Sequence, residues 1–216
     1  MESKLFSLYQ TLHERYGDAH WWPAKTPYEV MVGAILTQNT AWTNVDKALD
    51  NLRPDRLQPE IIARMPMDEL CDAIRPAGFF NQKSKYLKAM TAWFARYDYD
   101  VETVRRHPLK QCRAELLATK GIGQETADSI LLYAFDEPTF VVDAYTNRLF
   151  DRIPIKAGKN NREIKAFCES QLPASAELYN SFHALIVTNA KEHCRKRPLC
   201  DTCPLFTQCS KVGVLL

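Results

Sequence analysis

The chain has 216 residues, enough for one large or two small domains with a real core, and its 46% apolar and 25% charged residues are ordinary for a globular protein. Only seven glycines stand in a mix rich in Leu, Ala, Glu, Lys and Arg, which favours helices over a turn-rich β fold. The net charge of +2 does not announce a nucleic-acid binder, and no apolar run approaches the ~20 residues that span a bilayer. The start, Met1-Glu-Ser-Lys, lacks the long apolar run of a secretion signal, so a cytoplasmic location is expected.

Helical periodicity dominates in chain order. Leu5, Leu8, Tyr9, Leu12 and Tyr16 share one helical face. Thr26-Pro27-Tyr28-Glu29 reads as a helix start, with Thr as cap, Pro in the first turn and Glu three residues on. That helix should end near Thr37-Gln-Asn-Thr40, and the next should run from Trp42 to Leu52. Further helices are predicted at 59–65, 67–75, 82–97, 101–106, 109–119, 124–135, 144–152, 161–171 and 176–193. Phe140-Val-Val142 is short and apolar, and is read as buried coil rather than a partnerless strand. The expected fold class is all-α, with about ten helices.

Two stretches carry chemistry. Gly121-Ile122-Gly123, between two predicted helices, suits a tight turn and also close backbone approach to a phosphate. Asp143 opens a predicted helix after an apolar run, where Asp is a favoured N-cap. Basic residues gather before the Gly turn (Arg105, Arg106, Lys110, Arg113, Lys120) and near the C-terminus (Lys191, Arg195, Lys196, Arg197). Such patches track phosphates or simply solvate helix faces. Four cysteines, Cys194, Cys200, Cys203 and Cys209, form C-x5-C-x2-C-x5-C; clustered in a cytosolic chain they favour a metal over disulfides, with zinc and an iron–sulfur cluster both open.

Leu117-Ala-Thr-Lys-Gly-Ile-Gly-Gln-Glu-Thr-Ala-Asp128, followed by Val141-Val-Asp143 and Arg148, resembles the helix-hairpin-helix (HhH-GPD) DNA glycosylases, which include endonuclease III. Ala34-Ile-Leu-Thr-Gln-Asn-Thr40 and Gly78-Phe-Phe-Asn-Gln-Lys83 extend the resemblance over nearly the whole chain. It implies two helical lobes: a six-helix barrel with the hairpin, about 26–138, and a terminal domain of 1–25 and 139–216. A [4Fe–4S] cluster, with zinc as the alternative, is expected in a loop at 194–209. It implies Asp143 as the catalytic carboxylate, Gln38 and Phe79 entering the duplex, and Gly121, Ile122 and Gly123 on its backbone; Arg195, Lys196 and Arg197, inside the first cysteine gap, are expected as further phosphate contacts once the cluster folds that loop.

In the endonuclease III branch the position of Glu125 carries a Lys that attacks the sugar. A carboxylate forms no imine, so AP lyase action is expected to be weak or absent. Trp21-Trp22-Pro23 and Trp42 resemble the 3-methyladenine glycosylase branch, where aromatics stack an alkylated base. Trp22, Pro23, Trp42 and Glu125 are therefore the expected base pocket, since a cationic purine is attracted to electron-rich rings. The expectation is a monomeric, nucleoid-associated glycosylase that acts on double-stranded DNA and removes alkylated purines. An endonuclease III-like enzyme for oxidised pyrimidines or mismatched bases is the first alternative, and a non-catalytic DNA-binding module the second.

Overall fold

The computed structural model describes residues 3–18, 22–211 and 214. Among these, twelve α-helices and one 3-10 turn account for all regular structure. Phe140, Val141 and Val142 are buried coil, in no helix or strand. No described helix is long and apolar enough to cross a membrane. The chain divides into two compact units, Met1–Pro23 with Pro138–Leu216, and Ala24–Glu137.

The terminal unit holds α1 (Lys4–Tyr16), α10 (Ala144–Arg152), α11 (Asn161–Gln171) and α12 (Ala176–Glu192). All four begin at a side-chain cap: Ser3, Asp143, Asn160 and Ser175 each accept a hydrogen bond from a backbone N–H three residues on. Such caps satisfy donors that a helix start otherwise leaves unpaired. Leu5, Leu8 and Leu12 of α1 are buried, and α1 packs on α11 and α12. Phe140 meets Tyr179 and Phe182 of α12 edge-on, at centroid distances of 5.6 and 5.8 Å. That contact anchors the coil leading to Asp143 in the core of its unit.

The second unit holds α2 (Pro27–Leu36), α3 (Trp42–Asp50), α4 (Pro59–Arg64), α5 (Met67–Ala73), α6 (Phe80–Ala95), α7 (Val101–Arg105), α8 (Leu109–Ala118) and α9 (Gln124–Phe135). All eight correspond to helices predicted from the sequence between 26 and 138, two more than the six-helix barrel that the resemblance implies. Nine of the ten residues of α2 are buried, and it packs against α3, α6 and α9. A helix apolar on all sides belongs at the centre of a unit. Thr26 caps α2 through the Glu29 N–H at 3.1 Å. Glu29 reaches back to the Lys25 N–H and pairs with Arg53, rather than closing a capping box on Thr26.

Candidate active site

In the terminal unit the chemistry centres on Asp143. Its Oδ1 accepts from the Thr146 N–H at 2.7 Å, and its Oδ2 lies 3.5 Å from Nε2 of His183 on α12. Asp143 is 9% exposed and His183 4%. Burial works to raise the carboxyl's pKa, but the His183 imidazole beside it, together with the Thr146 N–H, holds it below its ordinary 3.8. The group is thus an ionised carboxylate in a largely dry setting, where its field is strong. Asn147 Nδ2 donates to the Asp143 carbonyl and to Asn161 Oδ1, both at 2.9 Å, and Asn161 Nδ2 donates to the Val142 carbonyl at 3.2 Å. The start of α11 thereby locks the backbone that carries Asp143.

In the second unit, α8, the loop 119–123 and α9 form the hairpin. Gly121 has φ +87°, and a Cβ there would lie 2.1 Å from Cγ of Tyr86. Only glycine meets both conditions. Gly123 is the N-cap of α9 and brings no side-chain hydrogen bond, so the first N–H groups of α9 have no side-chain cap. Ile122 is buried between the two glycines, whereas Gly123 is exposed. This backbone geometry suits an anion. Arg113 of α8 pairs in bidentate fashion with buried Asp128 of α9, at 2.7 and 3.0 Å, which fixes the hairpin angle.

Gln38 is drawn to this loop: its Nε2 donates to the Gly121 carbonyl at 3.0 Å and to Thr126 Oγ1 at 3.1 Å. Phe79 is 66% exposed and left-handed (φ 46°) at the N-cap of α6. A bulky residue rarely adopts that conformation. Glu125, exposed in the first turn of α9, is favourably placed against the helix dipole. Trp42 is half-buried at the start of α3. Trp22 is half-buried and Pro23 exposed, both in the terminal unit, and Trp21 lies outside the described residues. The terminal unit therefore carries Asp143, Trp22, Pro23 and the basic loop. The second unit carries Gln38, Phe79, Trp42, Glu125 and the hairpin glycines.

The metal expectation needs correction. Cys194, Cys200, Cys203 and Cys209 line one small cavity with Arg152 and His193. Yet among the described residues no group of three or more His, Cys, Asp or Glu is placed to hold a metal ion. Neither a [4Fe–4S] cluster nor zinc fits this arrangement. The sulfurs are engaged by the protein instead. Cys194 Sγ accepts from Arg152 Nη1 at 3.2 Å, Cys203 Sγ donates to Asn189 Oδ1 at 3.7 Å, and Cys209 Sγ donates to the Arg152 carbonyl at 3.3 Å. Burial raises the Cys203 thiol, favouring the neutral form over the thiolate that a metal binds.

The loop is held from α10. Arg148 Nε donates to the Cys194 carbonyl at 2.6 Å, and Arg152 Nη1 to the Arg195 carbonyl at 2.7 Å. Arg195, Lys196 and Arg197 are exposed. Sequence reasoning passed over Arg152 and His183. The spacing of Arg148 and Arg152, one helical turn apart, was the available signal for the first; His183 had none.

Residues 32–174 match the family model described as HhH-GPD superfamily base excision DNA repair protein. The chain is 46% identical over 209 residues to MJ1434 of Methanocaldococcus jannaschii, a provisionally named DNA repair glycosylase, with 95% of each chain covered. It is similar to the 3-methyladenine DNA glycosylase MagIII of H. pylori bound to 1,N6-ethenoadenine, with TM-score 0.74 and 30% identity over 86% of this chain and 96% of that one. Endonuclease III is similar in sequence and in fold. The Sulfolobus acidocaldarius enzyme is 26% identical over 190 residues, 84% of this chain and 81% of that protein. A non-covalent endonuclease III–DNA complex superposes with TM-score 0.81 and 22% identity, over 98% of this chain and 97% of that one.

Proposed function

Because this chain belongs to the HhH-GPD superfamily of base excision DNA repair proteins and is a DNA glycosylase, we propose that it is a monofunctional one, releasing the base by hydrolysis without cutting the strand. The observation that carries this reading is Glu125, exposed in the first turn of α9 where the endonuclease III branch has its attacking Lys. A carboxylate forms no Schiff base with the sugar.

In this reading Asp143 is the catalytic residue. Breaking the N-glycosidic bond builds positive charge on the sugar, which an ionised carboxylate beside it stabilises. The same carboxylate orients the attacking water. The base must first leave the stack. Gln38 fills the gap, exchanging its bonds to Gly121 and Thr126 for bonds to the duplex, while exposed Phe79 wedges the opposite side. Gly121, Ile122 and Gly123 bind one phosphate stretch, and Arg195, Lys196 and Arg197 another.

For substrate we favour the endonuclease III range, oxidised pyrimidines or mismatched bases in double-stranded DNA. The endonuclease III relatives, matching along most of this chain, support it. Such bases are neutral and are read by their hydrogen-bonding edges, with no need of a cation-binding aromatic sandwich. The second reading, alkylated purines, draws on the 30% identity to a glycosylase holding an etheno-adenine and on half-buried Trp22 and Trp42. Mass spectrometry of bases released from duplexes carrying thymine glycol, a G·T mismatch or 1,N6-ethenoadenine tests the choice. Release from the first or second supports our reading, and release from the third alone replaces it with the other.

A further inference from the structure

Lys83, in the first turn of α6, is 2% exposed, yet none of its hydrogen-bond partners is a carboxylate. Its Nζ donates to three oxygens from three segments: the Leu36 carbonyl at the end of α2 (2.7 Å), Thr40 Oγ1 (2.7 Å) and the Ala77 carbonyl (2.9 Å). Thr40 closes the network, donating to the Ala77 carbonyl at 2.6 Å and lying 3.2 Å from the Gln38 carbonyl. Leu36 and Thr40 bracket Gln38. Ala77 begins the turn through Gly78 (φ 66°) to left-handed Phe79.

Burying an ammonium without a counter-charge is unfavourable, and burial pushes this amine down to about 8. The Leu36 carbonyl at the C-terminal end of α2 offsets part of this cost, since the dipole there favours a cation. A neutral side chain would fill this space at lower cost. What it lacks is three donors diverging from one atom, which satisfy a helix-end carbonyl and cross-link two loops.

We propose that Lys83 is a positioning residue, which sets the spacing between the Gln38 loop and the Phe79 turn so that both enter the duplex in register. The inference rests on the proposed roles of Gln38 and Phe79. Lys83 acts on base eversion and leaves both the bond-breaking step and general DNA affinity alone.

The test uses the full chain and thymine-glycol or ethenoadenine duplexes with 2-aminopurine beside the lesion, each paired or in an unpaired bubble. Lys83→Met should lower the single-turnover rate about tenfold or more on the paired lesion and quench the 2-aminopurine rise. In the bubble, where the base is already unstacked, the rate should fall by less than about threefold. Affinity for undamaged duplex should hold within about twofold, and Lys83→Arg should recover part of the paired rate. Equal losses on paired and bubble substrates, or no loss, overturn the proposal. Should Lys83→Met fail to fold by circular dichroism, Thr40→Val removes one arm of the network and must show the same paired-over-bubble bias in weaker form. A wild-type protein that releases no base from these duplexes or from one carrying a G·T mismatch defeats the functional reading; a wild type that releases one while the variants match it defeats this inference alone.

Discussion

Oδ2 of Asp143 lies 3.5 Å from Nε2 of His183, with both side chains buried, while Oδ1 caps helix α10. One carboxylate thus has a structural task and, in our reading, a chemical one, and the two are separable. Asn caps a helix as well as Asp does, so Asp143→Asn should melt within about 1 kcal/mol of wild type. Its base-release rate should fall on the order of 10²-fold or more, with DNA binding retained. A pure DNA-binding module would show no loss of its activity in this variant.

The pH profile follows from the same contact. Burial favours the neutral acid, but His183 and the Thr146 N–H outweigh it, so the folded pKa lies below 3.8. The sign is that of a depressed carboxylate: its stabilisation is present above the unfolded value and is lost as pH falls through the folded one. Base release should therefore show no acid limb from this group between about pH 5 and 8. Replacing His183 with Gln removes a lowering influence and should move the acid limb upward, readable in kcat/KM against pH.

The hairpin glycines should differ in tolerance. Gly121→Ala meets the Tyr86 ring at 2.1 Å in a left-handed conformation and should cost about 1–3 kcal/mol in thermal melts, with weaker DNA binding. Gly123 has φ −89° and open space at its Cβ position, so Gly123→Ala should stay within about 1 kcal/mol.

Arg195, Lys196 and Arg197 should report themselves through salt. Each one that neutralises a phosphate contributes about 0.9 to the slope of log K against log salt, so the triple Ala variant should flatten the slope by up to about 3. An unchanged slope would assign these exposed cations to solvent.

The helices were legible because their starts are local events. Thr26, Asp143, Asn160 and Ser175 each bond a backbone N–H three residues on, a range that the sequence displays directly. Asp143 and the glycines of the hairpin stood out for the same reason. Phe79 did not reveal that α6 begins at Phe80, because it caps by left-handed backbone and not by side chain. Lys83 reads as an ordinary surface lysine until Leu36 and Thr40 arrive from more than forty positions away. His183, forty residues from Asp143, was equally silent. The cysteine spacing misled: a run such as C-x5-C-x2-C-x5-C suggests ligands but cannot say where an irregular loop puts them, and here Arg152 and Asn189 engage the sulfurs.

The most direct test of hydrolysis without strand cleavage is a gel of end-labelled duplexes carrying thymine glycol or 1,N6-ethenoadenine, incubated with the protein and run with and without alkali. Breaks should appear only after alkali, with no borohydride-trapped complex, because Glu125 has no amine to offer. Breaks without alkali, or a trapped covalent complex, would contradict that reading.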